Sequence, residues 1–202
     1  MHSGWGVLVA ISGDANSIEV IDRRRIAITD SKVPGASQPY HYAASAELSG
    51  LPEKQKYLAN CAAVSERLAL AAVDELMRDL EARQYRIVGS AVLLASGRPL
   101  PAVSQILASH PLIHTAEGEF FRNAVRQAYE NLKIPITAIK ERDLDARINT
   151  AFGNAANEVQ RRISTLGRSM GPPWTKDHKN AALAAAIILA DDRQAGGEDG
   201  PR

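Results

Sequence analysis

The sequence predicts a single α/β domain in which a mixed sheet carries helices on both faces. Short, nearly continuous apolar runs at residues 7–11 and 87–94 are typical of strands that are covered on both sides. Apolar residues spaced three and four apart over residues 52–84 indicate a long amphipathic helix that can cover such a sheet. The 202 residues, 45% of them hydrophobic, are enough to build one packed core.

The sheet is predicted to have five strands. Apolar, strand-like runs occur at residues 5–12, 18–21, 25–29, 86–95 and 134–139. We expect the first three to form an antiparallel meander, with Asp22 and Arg23 in its second turn, and the other two to join as parallel strands. The first strand should be central in the sheet, because its run is apolar throughout.

Helices are predicted at residues 52–84, 101–108, 111–131, 145–166 and 176–190. Pro111 in a first turn and Thr175 as a cap mark two of their starts. Residues 30–52 are rich in Gly, Pro and Ser and are predicted to form a loop. We expect one domain over residues 1–192 and a disordered polar tail over residues 193–202.

Composition narrows the range of partners. Because 24 basic and 23 acidic side chains nearly cancel, and only 5% of residues are aromatic, we do not expect nucleic acid as a partner. The longest apolar run, residues 181–190, is shorter than the roughly 20 residues of a membrane span, so no membrane association is expected. The single cysteine, Cys61, in an apolar helical pattern, and an amino terminus without signal-peptide features favour a cytoplasmic protein with a buried thiol.

The order of predicted elements over residues 5–190 resembles the ribonuclease H-like fold. In nucleases of that fold, carboxylates on the first strand, near the end of the fourth strand and at the last helix hold two divalent metals. In this sequence only one of the three positions is matched by a carboxylate, Asp177 at the start of the last predicted helix. The resemblance also implies that Asp177 and Lys179 approach Ser12 and Arg98. Residues 97–101 and 114–119 are in addition similar to stretches of a bacterial protein family with no assigned activity.

The most concentrated chemistry lies in residues 109–122. On a helix that starts near Pro111, His110, His114 and Glu117 fall within about 60° of one another. Two imidazoles and a carboxylate on one face are a ligand set for Zn²⁺ or a similar divalent ion. The spacing of His110 and His114 is also similar to a histidine pair in the actin-like tRNA threonylcarbamoyladenosine enzymes. The alternative is that His110 caps the helix, His114 packs against a neighbour and Glu117 complements the helix dipole.

A second group of candidates lies in loops and at the last helix. Gly97 and Arg98 follow a buried strand, where open α/β sheets place ligand-binding loops, and Arg98 could clamp a phosphate or carboxylate. The alternative for Arg98 is an ion pair with Glu117 or Glu119. Lys179 would add a positive charge, and His41 could be brought over the pocket by its long loop.

Three function classes remain open. The first is a ligand-binding or enzymatic domain that handles a small anionic molecule, phosphorylated or not. In this reading the catalytic residues are His114, Glu117 and Asp177, and the ligand is bound by Gly97, Arg98, Lys179 and His41. The second is a metal-dependent nuclease or hydrolase with a divalent cofactor on atypical ligands. The third is a non-catalytic assembly module, which would show an exposed apolar patch on residues 53–84 and form a homodimer.

Overall fold

The structure is a computed structural model that describes residues 1–95 and 99–197. The chain forms two compact units. The first unit consists of residues 1–6, 26–85 and 94–133, and the second of residues 7–25, 86–93 and those from 134 onward. The expectation of one domain over residues 1–192 stays a prediction.

Helices make up most of the described chain, with 60% of residues in helical conformation. They are α1 Pro39–Ala44, α2 Gly50–Ala82, α3 Val103–Leu107, α4 His110–Asn131, α5 Leu144–Phe152, α6 Ala156–Thr165, α7 Gly167–Met170 and α8 Lys176–Gly197. Short 3-10 turns at Glu141–Asp143 and Gly153–Ala155 precede α5 and α6. Among the described residues, no helix is both long enough and apolar enough to cross a bilayer.

The strands form two small sheets. They are β1 Trp5–Ser12, β2 Glu19–Ala27, β3 Ser90–Leu94 and β4 Ile136–Lys140. β1 pairs antiparallel with β2, and β3 pairs parallel with β4. The prediction of a five-stranded, ribonuclease H-like mixed sheet is therefore wrong, and the fold is a mixed α/β fold with two two-stranded sheets in its described residues.

The predicted three-stranded meander does not form, because the residues expected in its second turn lie within a continuous strand. β2 runs without a break through Asp22 and Arg23, because this pair lacks the glycine that follows Asp in the common two-residue hairpin turns. Residues two apart on a strand share a face, so the Arg24 guanidinium pairs with the Asp22 carboxylate at 2.7 Å. β1 is also not central, since it pairs with β2 alone among the described strands and shows a partly alternating pattern of burial.

Arg23 points away from that ion pair and holds the connection between α7 and α8. Its guanidinium donates to the carbonyl oxygens of Met170 at 3.0 Å, Gly171 at 2.9 Å and Pro173 at 2.7 Å. Charge-assisted hydrogen bonds of this kind are stronger than neutral ones. One strand side chain therefore fixes the backbone that leads into α8.

Two other segments differ from expectation. The predicted loop over residues 30–52 contains α1, whose first turn carries Pro39, a residue suited to that position because it lacks only an unneeded N–H. The predicted helix over residues 145–166 is interrupted at Gly153, whose φ of +50° is a conformation that other residues rarely adopt. α8 extends to Gly197, and the tail residues 198–202 lie outside the described ranges.

The first unit is built on α2 and α4, which pack along one another. Their fully buried residues include Val73 and Leu80 on α2 and Phe121 and Ala128 on α4. Cys61 lies in the buried face of α2 with 3% of its surface exposed, which confirms its predicted role as a small buried residue. The packing of α2 and α4 gives α4 a fixed face on which its amino-terminal histidines are presented.

The second unit is built around the alanine-rich face of α8. Ala182 and Ala186 pack with Val159 and Ile163 of α6 in one cluster, and Ala184 and Ile187 pack with residues of α5 in a second cluster. Small side chains on α8 allow the neighbouring helices to approach closely, so each cluster is filled by the larger residues of the partner helix. The burial of this face agrees with the helix that the sequence predicts here.

Thr175 and His178 cap the start of α8. The Thr175 backbone N–H donates to His178 Nδ1 at 3.3 Å, and the Thr175 hydroxyl lies 2.8 Å from the same nitrogen. This is the spacing of a capping box in which histidine replaces the usual Glu or Gln. Because Nδ1 accepts a hydrogen bond here, the neutral imidazole is the form that caps the helix.

This cap predicts a pH-dependent stability. Burial, and next the charge of Arg23, lower the pKa of His178 below its ordinary value. Since the folded pKa is below the unfolded value of about 6.5, the contribution is complete above that pH and is lost as pH falls through the folded pKa. Urea unfolding of His178→Asn between about pH 5 and pH 8 should show a shallower acid loss of stability than the wild type. His2→Asn is the control. If the free energy of unfolding of His178→Asn falls with pH as steeply as that of the wild type, this role of His178 is contradicted.

Candidate metal site

Two of the site's imidazoles lie on the first turn and a half of α4. The helix begins at His110, one residue before the predicted start, directly after Ser109 and with proline at its second position. The Ser109 side chain, which precedes the helix, makes no capping hydrogen bond. His110 and His114 are one helical turn apart, both are exposed, and their ring centroids lie 4.5 Å apart.

The third imidazole, His41, comes from α1. Its ring centroid lies 4.8 Å from that of His114 and 5.9 Å from that of His110. One ring nitrogen from each of His41, His110 and His114 can be chosen so that all three lie within 4.8 Å of one another. We call these three residues the histidine cluster. The sequence placed His41 in a ligand-binding loop and did not include it in the metal set.

The Glu117 carboxylate of α4 contacts the start of α1 at Tyr40 and His41. Its Oε1 accepts hydrogen bonds from the backbone N–H groups of Tyr40 at 2.8 Å and His41 at 3.0 Å. The same oxygen lies 3.2 Å from His41 Nδ1. If Nδ1 carries the ring proton and donates it to Glu117, His41 Nε2 has a free lone pair, which is the form of histidine that binds a metal.

The Glu117 carboxyl is nearly buried, with 9% of its side chain exposed. Burial raises its pKa above the ordinary value, and the hydrogen bonds from His41 and Tyr40 oppose that effect. Its second oxygen, Oε2, is buried and has no hydrogen-bond partner among the residues that the structure describes. Burial, and next the Glu117 charge, also raise the pKa of the Tyr40 hydroxyl. The carboxyl therefore interacts mainly with α1.

The segment that carries α1 is also attached to α2. The Tyr57 hydroxyl of α2 donates to the Pro34 carbonyl at 2.6 Å, and the Tyr57 ring packs against Tyr42 at a centroid distance of 4.9 Å. Burial raises the pKa of the neighbouring Cys61 thiol, which disfavours the thiolate that a nucleophile or metal ligand requires. Cys61 therefore has a packing role beside the site.

A cavity of about 360 Å³ lies between α2 and α4 in the same unit. Its walls include the apolar side chains of Leu58, Leu100 and Phe120. The Tyr40 ring also lines it and makes an edge-to-face contact with Phe120 at 6.0 Å. Tyr40 thus contributes its ring to the cavity and its backbone N–H to Glu117.

Four further residues were predicted for the site: Gly97, Arg98, Asp177 and Lys179. Gly97 and Arg98, with Ser96, lie outside the described residues. Asp177 and Lys179 are half-buried in the first turn of α8, which belongs to the second unit. Their expected approach to Ser12 and Arg98 was implied by the ribonuclease H-like sheet, and that sheet is not what the described strands form.

The role of His41 could have been predicted from one local signal. Pro39 followed by aromatic residues and Ala43 is compatible with a helix start, and such a start would have moved His41 from a mobile loop to an ordered element. Its position beside His114 has no signal in the sequence, because the two residues are 73 positions apart. Only the packing of α1 on α4 brings their rings together.

Three neutral imidazoles are a ligand set for zinc and similar divalent transition metals. Zn–N bonds of about 2.0–2.1 Å place tetrahedral ligand nitrogens roughly 3.4 Å apart. The cluster nitrogens lie within 4.8 Å of one another, and two of the three side chains are exposed. Three protein ligands leave at least one coordination position for water or an anion.

Comparison of the chain with known protein families, with curated proteins and with solved structures gave no match. The candidate function therefore depends on the residues of this chain.

Proposed function

We propose that this protein binds a divalent transition-metal ion of the zinc class through His41, His110 and His114. The observation that carries the proposal is the convergence of three imidazoles from two helices, with ring nitrogens within 4.8 Å of one another. A single helix supplies two of the ligands at the spacing of one turn, and α1 supplies the third. Glu117 supports the site by its contact with His41 Nδ1.

The open side of this site favours a small anionic molecule as its ligand. His110 and His114 are exposed, so a metal held by the cluster would present its remaining positions to solvent. Phosphate and carboxylate oxygens are ligands that such a Lewis acid attracts. In this proposal the metal supplies the positive charge for the anion, a role predicted from the sequence for Arg98 and Lys179.

Metal-assisted hydrolysis is the second candidate, and it is favoured by the number of ligands. Catalytic zinc sites commonly have three protein ligands and a bound water whose pKa is lowered to about 7. The histidine cluster offers three protein ligands, the number that such sites use. The chemistry that the metal would supply is a hydroxide near an anionic substrate, and the histidines would hold the metal in place.

Metal analysis and calorimetry test the proposal. We expect tag-free protein, stripped with a chelator, to bind one Zn²⁺ per chain, and the triple variant His41→Ala/His110→Ala/His114→Ala to lose that binding. Zn²⁺ at about 100 times its Kd should stabilise the wild type by about 2.7 kcal/mol in thermal unfolding. No saturable binding by the wild type, or equal binding by the triple variant, contradicts the proposal.

The anion and the reaction are tested separately from the metal. With Co²⁺ bound to the wild type, inorganic phosphate should change the visible absorption spectrum of the metal site. A metal-dependent turnover of p-nitrophenyl phosphate or p-nitrophenyl acetate that is lost in His114→Ala supports hydrolysis. Metal binding without turnover of either probe restricts the proposal to a binding function.

The other sequence expectations stay predictions. A cytoplasmic location, a homodimer and the assembly role are among them. The assembly reading expected an exposed apolar patch on residues 53–84, whereas the large hydrophobic residue that is exposed among the described residues is Leu51, which lies just before that span.

A further inference from the structure

We propose that Glu117 is a positioning residue that couples metal binding to the docking of α1 on α4. This inference rests on the proposed metal site, because its consequence is a change in metal affinity. His41 is the one cluster member that α4 does not supply, so the site is complete only when α1 is docked. Glu117 Oε1 contacts three nitrogen atoms of α1: it accepts from two backbone N–H groups and lies 3.2 Å from His41 Nδ1.

The contacts hold both the backbone and the ring of His41. Two of them come from the first-turn N–H groups of Tyr40 and His41, which have no partner within their own helix. Gln38, the residue before α1, makes no side-chain cap, so the Glu117 carboxylate takes that role from another helix. A six-residue helix is too short to be stable alone, and its docking therefore depends on such contacts.

The third contact fixes the chemistry of the His41 ring. A carboxylate that accepts from Nδ1 selects the tautomer whose Nε2 is free to bind a metal, and it prevents the ring from turning away. Partners of this kind typically change metal affinity by about 10–100-fold when they are removed. By linkage, a metal that binds better to docked α1 must also stabilise the docked state.

Glu119 provides a matched control. It lies on the same helix and its exposure is 8%, the same as that of Glu117, but the first-turn N–H groups of Tyr40 and His41 donate to Glu117. Glu117→Gln keeps a carbonyl oxygen that accepts from N–H groups but loses the charge, whereas Glu117→Ala loses both. These variants separate the loss of a hydrogen-bond acceptor from the loss of a buried acid.

The test measures three quantities on the full chain: the Kd for Zn²⁺, the tautomer of His41 by ¹⁵N NMR, and amide exchange of Tyr40 and His41. We expect Glu117→Ala to weaken Zn²⁺ binding about 10–100-fold, to shift His41 away from the Nδ1–H tautomer and to speed exchange in α1 without metal. Glu117→Gln should be intermediate and Glu119→Gln close to wild type. Zn²⁺ should slow α1 exchange in the wild type.

Amide exchange at Ala128 of α4 verifies that each variant is folded, and Glu117→Gln replaces Glu117→Ala if the latter is not. If the folded variant keeps wild-type Zn²⁺ affinity, His41 tautomer and α1 exchange, Glu117 is not a positioning residue and the inference is overturned. If the wild type binds no Zn²⁺, the proposed function fails first, and the metal coupling fails with it.

Discussion

Replacement of His114 by alanine should weaken Zn²⁺ binding at least about 100-fold, since even an outer partner of a metal ligand contributes about 10–100-fold. His114 is central in the cluster, with its ring 4.5 Å from that of His110 and 4.8 Å from that of His41. Its side chain is exposed, so its removal leaves no cavity in the core and should not change the free energy of unfolding of the metal-free protein.

Isothermal titration of the metal-free protein with Zn²⁺ measures this effect. His110→Ala and His41→Ala should show losses of the same order, because each removes one of three ligands. His2→Ala is the matched control, since His2 stacks on Trp5 and is not a cluster member. Equal affinities in His114→Ala and His2→Ala would mean that Zn²⁺ binds elsewhere.

Replacement of Phe121 by alanine should lower the free energy of unfolding by about 3–5 kcal/mol. Phe121 is 1% exposed and is the largest fully buried side chain among the described residues. Because it lies on α4, its loss removes packing from the helix that presents His110 and His114. We expect the metal-free variant to unfold at lower urea concentration, and added Zn²⁺ to recover part of the lost stability.

Phe120→Ala is the control for this change. Phe120 is adjacent on the same helix but half-buried, and it lines the cavity, so its removal should cost less than that of Phe121. Urea unfolding of both variants, with equal denaturant slopes, gives the comparison. A loss in Phe121→Ala no larger than that in Phe120→Ala would contradict the packing described for α4.

The long helices could be predicted because their signals are local. Residues 52–84 were expected to form a helix, and α2 runs from Gly50 to Ala82. The predicted end of α4 at Asn131 agrees with the structure, and its predicted start is one residue late. In each case the helical spacing of apolar residues can be seen within one stretch of sequence, and proline marks the start of α4.

The sheet could not be predicted because strand pairing is not local. An apolar run indicates an extended, buried segment, but it does not indicate which other strand it pairs with. β3 and β4 are apolar runs of this kind and pair only with one another among the described strands. The order of elements therefore resembles a known fold whose strand pairing the described strands do not form.

The site was predictable in part for the same reason. The helical spacing placed His110, His114 and Glu117 on one face, and the three residues do lie on one helix. The contribution of His41, and the contact of Glu117 with α1, depend on how two helices far apart in sequence pack together. A pattern within one segment carries no information on that packing.

The absorption spectrum of the Co²⁺-substituted protein tests the central claim most directly, because Co²⁺ reports the number and type of its ligands. Titration of the metal-free wild type should produce a visible spectrum typical of four- or five-coordinate Co²⁺ with nitrogen ligands, saturating at one ion per chain. His2→Ala should give the same spectrum, and His41→Ala, His110→Ala and His114→Ala should each lose it. A wild-type spectrum like that of hexaaqua Co²⁺, or one that persists in all three variants, would contradict the assignment of the histidine cluster as a metal site.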